Sequence, residues 1–230
     1  GTVPEMLDRN LAIRSAAITR KLKQAGQILN LKYRAALRAE RRLLTRRPAP
    51  WVISISKYVT DQLRRHYKFD PSRIREIFNG VDPDLTSAEE RARQREEVRR
   101  QFHLRDDDLM VLCVAHNFKL KGVDKLVEAL SIVYRRQSGH KHAKHHVGHC
   151  KVVIVGRDNP RRAVQLARRL GVADHVLFAG PTQRILAFFH AADVLAHPTF
   201  YDPCSRVVLE AMAAGLPVIT TRFNGAAERV

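Results

Sequence analysis

The stretch "KVVIVGRDNPRRAVQLARRLGVADHVLFAG", residues 151–180, decides the fold. Two continuous aliphatic runs, KVVIVG (151–156) and HVLFAG (175–180), flank an arginine-rich helical stretch, RRAVQLARRLGV (161–172). A strand with one wet face alternates apolar and polar side chains, whereas an unbroken run is covered on both faces. Strand, helix and strand in that order imply parallel pairing through a helical crossover. The same rhythm extends both ways. LMVLCVAH (109–116) reads as a strand and VDKLVEALSIVYRRQ (123–137) as an amphipathic helix. RILAFFHAAD (184–193) reads as a helix and VLAHP (194–198) as a strand. SRVVLEAMAAG (205–215) reads as a helix ended by Gly215, and PVITT (217–221) as the last strand. The fold class is therefore α/β, a Rossmann-like parallel sheet with helices on both faces.

Residues before this alternation read differently. Residues 1–47 are basic with helical periodicity, carried by Leu7, Leu11, Ile18, Leu22, Ile28, Leu29, Leu31, Leu37, Leu43 and Leu44. Pro48 and Pro50 stop the pattern. WVISIS (51–56) reads as a buried strand and KYVTDQLRRHYKF (57–69) as a helix. PSRIREIFNGVDP (71–83) reads as a strand and a turn, with Asn79-Gly80 as the turn signal, and residues 87–104 as a charged surface helix.

Composition narrows the partners without choosing one. Forty-one Lys and Arg against 23 Asp and Glu give a net charge of +18, which attracts nucleic acid, anionic lipid or a phosphorylated substrate. No apolar run approaches the length of a transmembrane helix, and residues 1–20 lack the apolar centre of a signal peptide. Cys113, Cys150 and Cys204 lie far apart, as expected of reduced thiols in the cytoplasm. The stretch GHKHAKHHVGHC (139–150) carries five histidines and a cysteine. It reads either as a metal site or as a solvated loop insertion, the second being the expectation. Asp106, Asp107 and Asp108 precede a strand, the wrong end for a ligand site, and read as a polar turn.

Ligands of open α/β sheets bind beyond the carboxyl ends of the strands. Three loops there stand out: HNFKLKG (116–122), GRDNP (156–160) and TFYDPCS (199–205). Ser205 is the expected N-cap of the next helix, and the amides of Ser205, Arg206 and Val207 would receive a diphosphate. Lys119 and Lys121 would neutralise it, and Gly122 lets the chain turn closely. Glu210 is a carboxylate between Leu209 and Ala211. Burial without donors would be costly, and the vicinal hydroxyls of a ribose supply two. Asp202, in the loop before the helix, would accept hydrogen bonds from a hexose beyond the diphosphate. The alternative has Glu210 reaching solvent and Asp202 serving as an ordinary turn or capping residue.

These residues also resemble a known family. DPCSRVVLEAMAAGLPVITT (202–221) with NGAAE (224–228) resembles the signature of family 4 retaining glycosyltransferases of GT-B fold: two acidic residues separated by seven others, a GLPVI strand entry and a turn ending in Glu. NGVD (79–82) resembles the family's interdomain hinge. The likeness is strongest to the lipopolysaccharide-core glucosyltransferase branch, through FKLKGVD (118–124), GRDNPRRAVQLARRLGV (156–172) and HPTFYD (197–202). The resemblance implies residues 1–79 as the end of an N-terminal acceptor domain and 80–230 as a nucleotide-sugar domain, the chain being truncated at both ends. It implies retaining transfer of a hexose, glucose by the resemblance, from a UDP-sugar to a glycan or lipid-linked acceptor, with no metal or other cofactor. Asp202 and Lys121 are the expected catalytic residues, as sugar orienter and diphosphate neutraliser. Glu210, Ser205, Arg206, Val207, Lys119, Gly122, Arg157 and Asn117 are the expected donor-binding set, with the base near Arg157 and GPTQ (180–183). The basic surface reads either as peripheral contact with the inner face of an anionic membrane or as an ordinary solvated surface, and a nucleic-acid partner is not expected. Two departures stand out: Asp202 is one methylene shorter than the usual Glu, and His116 replaces a frequent Arg. The competing readings are a non-enzymatic nucleic-acid or membrane-surface module built on the arginine-rich residues 9–47, and a nucleotide-sugar epimerase of the same fold.

Overall fold

Burial along the aliphatic run 152–155 anchors the architecture of this computed structural model, which describes residues 1–13, 27, 30–138 and 150–230. The described chain forms two compact units. The first contains residues 1–80, 199–206 and 221–229; the second contains 81–198, 207–220 and Val230.

The second unit is built on a parallel sheet. Its strands are Leu109–Val114, Cys150–Val155, Val176–Gly180, Val194–His197 and Val218–Thr220, here β3 to β7, β1 and β2 belonging to the first unit. Their order is β5-β4-β3-β6-β7. Val152 to Val155 on β4 are each 3% exposed or less, and Met110, Leu112 and Leu195 are fully buried. Each such side chain contributes about 1.5–3 kcal/mol relative to exposure. One core cluster joins Cys113 and Ile154 to Val123 and Val127 of the helix Val123–Ser138 and to Ala163 and Ala167 of the helix Arg161–Arg169. The two alanines, one helical turn apart, let the latter helix sit close while its arginines reach solvent. The helices Ala88–Gln101 and Ile185–Ala191 meet through Val98 and the Phe102–Phe188 ring pair, with centroids 6.0 Å apart.

Carboxylates tie the edges of this unit. Asp193 accepts from the Met110 amide at 2.7 Å and pairs with Arg95 at 2.7 Å and Arg99 at 3.4 Å. Asp108 accepts from the Arg105 amide at 2.7 Å, so the turn expected at 106–108 forms, but Asp108 itself is buried. Asp84, in the segment entering the unit, pairs with His190 at 2.7 Å and Arg91 at 3.0 Å.

The first unit holds the helices Val3–Ala12 (α1), Leu31–Leu44 (α2) and Lys57–Tyr67 (α3), with β1 (Val52–Ser54) parallel to β2 (Ile74–Glu76). Val59, Leu63, Phe69 and Ile74 form its core. WVISIS is not a buried strand throughout: Trp51 is 61% exposed and Ile53 66%. In this two-stranded sheet Ser54 is buried, whereas Ile53 on the opposite face is mostly exposed. Arg73 and Arg75 lie over the Trp51 ring, 5.6 and 5.0 Å from its centroid. Glu5 of α1 is buried and meets Arg9 at 2.8 Å, His66 at 3.2 Å and the Tyr58 hydroxyl at 3.2 Å. Burial, then the Glu5 charge, pushes the Tyr58 hydroxyl up to about 12. Residues 199–206 and 221–229 group here through specific bonds. Ser56 Oγ donates to the Pro203 carbonyl at 2.6 Å, and the Glu228 carboxylate accepts from the Lys57 and Tyr58 amides at the start of α3.

Several sequence expectations, Ile18, Leu22, Ile28, Leu29 and the histidines of 139–149, fall outside the described residues. Among the described residues, no helix is long and apolar enough to cross a membrane. Cys113, Cys150 and Cys204 are free thiols, all buried.

Candidate active site

The order β5-β4-β3-β6-β7 reverses direction at β3, with β4 and β5 on one side and β6 and β7 on the other. In open parallel sheets a ligand sits outside the carboxyl ends at that reversal. Gly122 follows the β3 loop there with φ +75°, and a Cβ added to it would collide with the Pro198 carbonyl just after β6. The glycine is thus required twice, by its left-handed backbone and by the close approach.

The β3 loop is shaped by its own hydrogen bonds. Asn117 Oδ1 accepts from the Leu120 amide at 3.0 Å, and the Lys121 amide donates to the Asn117 carbonyl at 2.8 Å. The expected donor residue Asn117 therefore has its side-chain oxygen turned inward on the loop. Lys119 and Lys121 are half-buried. Burial pushes the Cys113 thiol up to about 12, and the Lys121 charge acts in the opposite direction.

The β4 loop adjoins it. Gly156 packs against β3 so tightly that an added Cβ would strike the Ala115 carbonyl. Asp158 Oδ2 accepts from the Phe118 amide at 2.8 Å, and its other oxygen accepts from Asn159 at 2.7 Å. Beside this clasp lies a cavity of about 300 Å³, lined by Phe118, Gly156, Arg157, Asp158, Phe178 and Pro181, among others. The Phe118 and Phe178 rings stand 6.2 Å apart. The cavity occupies the region expected for a base, next to exposed Arg157 and Gly180.

The helix Arg206–Ala213 (α8) begins immediately after Ser205. Val208, Leu209 and Ala211 are buried, Val207 and Glu210 are half-buried, and Arg206 is exposed. Glu210 is thus not a core carboxylate: the helical period turns it partly away from its aliphatic neighbours. The Ser205 amide, expected to bind phosphate, instead donates to Asn224 Oδ1 at 3.1 Å. Asp202 is half-buried in the first unit, where its amide donates to the Phe223 carbonyl at 2.9 Å and its own carbonyl accepts from Gly225 at 2.9 Å.

In the second unit, the chain brings together the β3 loop with its two lysines, Gly122, the Arg157 loop and the cavity. Sequence reasoning missed Asp158 and Asn224. Asp158 stood in a loop already singled out, but its partner is a backbone amide 40 residues earlier. Asn224, 1% exposed, was read only as turn material, yet its side chain also accepts from the Ala226 amide at 3.1 Å.

Residues 94–230 match the family model of glycosyl transferases group 1, and residues 18–85 match that of glycosyltransferase family 4. A lipopolysaccharide glucosyltransferase, WaaG, of Escherichia coli K12 is 32% identical over 174 residues, covering 76% of this chain and 44% of its own length. A crystal structure of WaaG superposes with a TM-score of 0.73 at 27% identity, covering 94% of this chain and 56% of that one. Anabaena Alr3699/HepE, crystallised with UDP and glucose, shares the fold with a TM-score of 0.65 at 23% identity, over 89% of this chain and 52% of that one. The chain therefore spans about half the length of these relatives. It belongs to the glycosyl transferases group 1 family and shares its fold with glycosyltransferases of the GT-B type.

Proposed function

We propose that this chain is the donor-binding part of a retaining hexosyltransferase that takes glucose from UDP-glucose and passes it to a lipopolysaccharide-core or similar glycan. The observation that carries this reading is the cavity at the carboxyl ends of β3 to β5, bordered by the lysine-bearing loop at the sheet's reversal. The likeness to the E. coli lipopolysaccharide glucosyltransferase supports the choice of sugar and acceptor.

In this reading Lys121, with Lys119, neutralises the diphosphate as charge builds on the leaving group, and the amides of Arg206 and Val207 at the start of α8 add their dipoles. No metal is required for that step. Glu210 accepts from the ribose hydroxyls and Asp202 orients the hexose. The acceptor attacks from the face that the diphosphate leaves, and a leaving-group oxygen takes the acceptor's proton. The protein supplies no nucleophile. The basic surface, +18 in all, meets an anionic membrane peripherally.

Calorimetry of the full chain with UDP, GDP and ADP tests the reading. Saturable binding with UDP preferred is the expected result. Equal heats for all three would remove the uridine assignment, and no heat for any would remove the donor site.

A further inference from the structure

We propose that Asp158 is a positioning residue, a carboxylate clasp that holds the lysine-bearing loop after β3 in place for the donor diphosphate. The proposal rests on the donor reading above and adds a residue to it. Two observations carry it. Asp158 Oδ2 accepts from the amide of Phe118 at 2.8 Å, across 40 residues of chain, and that amide opens the turn that ends in Lys121 and Gly122. Within the turn, bonds run from the Leu120 amide to Asn117 Oδ1, from the Lys121 amide to the Asn117 carbonyl, from the Gly122 amide to the Lys119 carbonyl, and from the Val123 amide to the Phe118 carbonyl. Such a turn keeps its shape on its own, but its internal bonds do not fix how it tilts over the sheet.

The clasp supplies that constraint from one side, and the buried Phe118 ring, 6.2 Å from Phe178, from below. The base of the clasp is itself held. Asp158 Oδ1 accepts from Asn159, and Asn159 Oδ1 accepts from the Arg161 amide at the start of the following helix. A chain of side-chain-to-backbone bonds therefore runs from the first turn of that helix to the lysine loop. A lysine ammonium on a flexible stem stabilises a diphosphate in proportion to how well its backbone is aimed, so a tilt of the loop would cost affinity without removing any group that touches ligand.

The test is a double-mutant cycle on the full chain, read by UDP calorimetry with amide exchange of the free protein beside it. Asp158→Ala is expected to weaken UDP roughly tenfold when Lys121 is present and less than about twofold in the Lys121→Ala background, because the clasp acts through the lysine loop. Asp158→Asn retains a carbonyl acceptor for the Phe118 amide and is expected to keep affinity within about threefold of the unsubstituted chain. In the free protein, exchange at Phe118 to Lys121 should rise in Asp158→Ala and stay low in Asp158→Asn. Additive losses in the cycle, or an Asn variant as weak as the Ala variant, would overturn the proposal, since Asp158 would then act on the ligand directly. Unchanged exchange in the Ala variant would overturn the clasp whatever UDP does. If the unsubstituted chain shows no UDP affinity while the exchange arm behaves as expected, the donor reading fails and the lysine-aiming role falls with it.

Discussion

At the scale of single residues, Gly122 and Glu210 carry opposite kinds of constraint. Gly122 is fixed by geometry: φ is +75° and the Pro198 carbonyl occupies the space of a side chain. Gly122→Ala is expected to destabilise the chain by about 1–3 kcal/mol, read as a lower urea midpoint. An unchanged midpoint would mean that the β3 loop and Pro198 are not in close contact. Glu210 is fixed by no such packing, being half-buried on α8. In the proposed donor reading its identity matters for the ribose hydroxyls it accepts from. Glu210→Ala should lose hydrogen bonds to a charged group and weaken UDP by about 1.5–3 kcal/mol, roughly ten- to a hundredfold. Full UDP affinity in that variant would remove the ribose role, leaving Glu210 as a partly solvated helix residue. The spacing of Asp202 and Glu210 was legible because both stand in one short stretch. Asp158 was not, since a carboxylate's choice of a distant backbone amide leaves no local trace.

At the scale of elements, the entry to the second unit is pinned electrostatically. Burial pushes the Asp84 carboxyl up, but hydrogen bonds from Thr86 and His190 outweigh it and hold it down at about 2. A carboxyl whose folded value is depressed contributes stability that is present above its unfolded value and is lost as pH falls through the folded one. Urea midpoints should therefore fall between about pH 4 and pH 2, and Asp84→Asn should flatten that part of the profile while lowering the midpoint at neutral pH. An identical acid slope in the variant would assign the loss to other carboxylates. Elements with strong local signals agree with the sequence reading. The helix read at 57–69 forms as Lys57–Tyr67, and the strand read at 151–156 forms as Cys150–Val155. The strand read at 51–56 shrinks to Val52–Ser54 with Trp51 and Ile53 exposed, because apolar composition gives no count of the layers above a strand.

At the scale of the whole molecule, the surplus of Lys and Arg is spread over both units. Exposed Lys32, Arg34, Arg38, Arg41 and Arg42 line α2, and Arg161, Arg168 and Arg169 face solvent on the helix Arg161–Arg169. Charge arranged in this way gives attraction that salt screens over a Debye length of about 10 Å at 0.1 M. Co-sedimentation with phosphatidylserine vesicles should be strong at low ionic strength and fall steeply as salt rises, with little retention on neutral vesicles. Equal retention on neutral vesicles would point to apolar insertion instead.

The sequence alone determined the parallel α/β sheet, since Val, Ile and Leu runs alternating with helices imply parallel strands joined by helical crossovers. It also determined the family, through motifs whose residues lie close together along the chain. Tertiary structure alone decided which expected ligand groups are already occupied: the Ser205 amide is taken by Asn224, and the Asn117 oxygen by its own loop. It alone joined Asp158 to Phe118 and grouped 199–206 and 221–229 with the first unit. The physical reason is range. Periodicity and spacing are properties of neighbours in sequence, whereas a hydrogen bond is satisfied by whichever partner the fold delivers within about 3 Å.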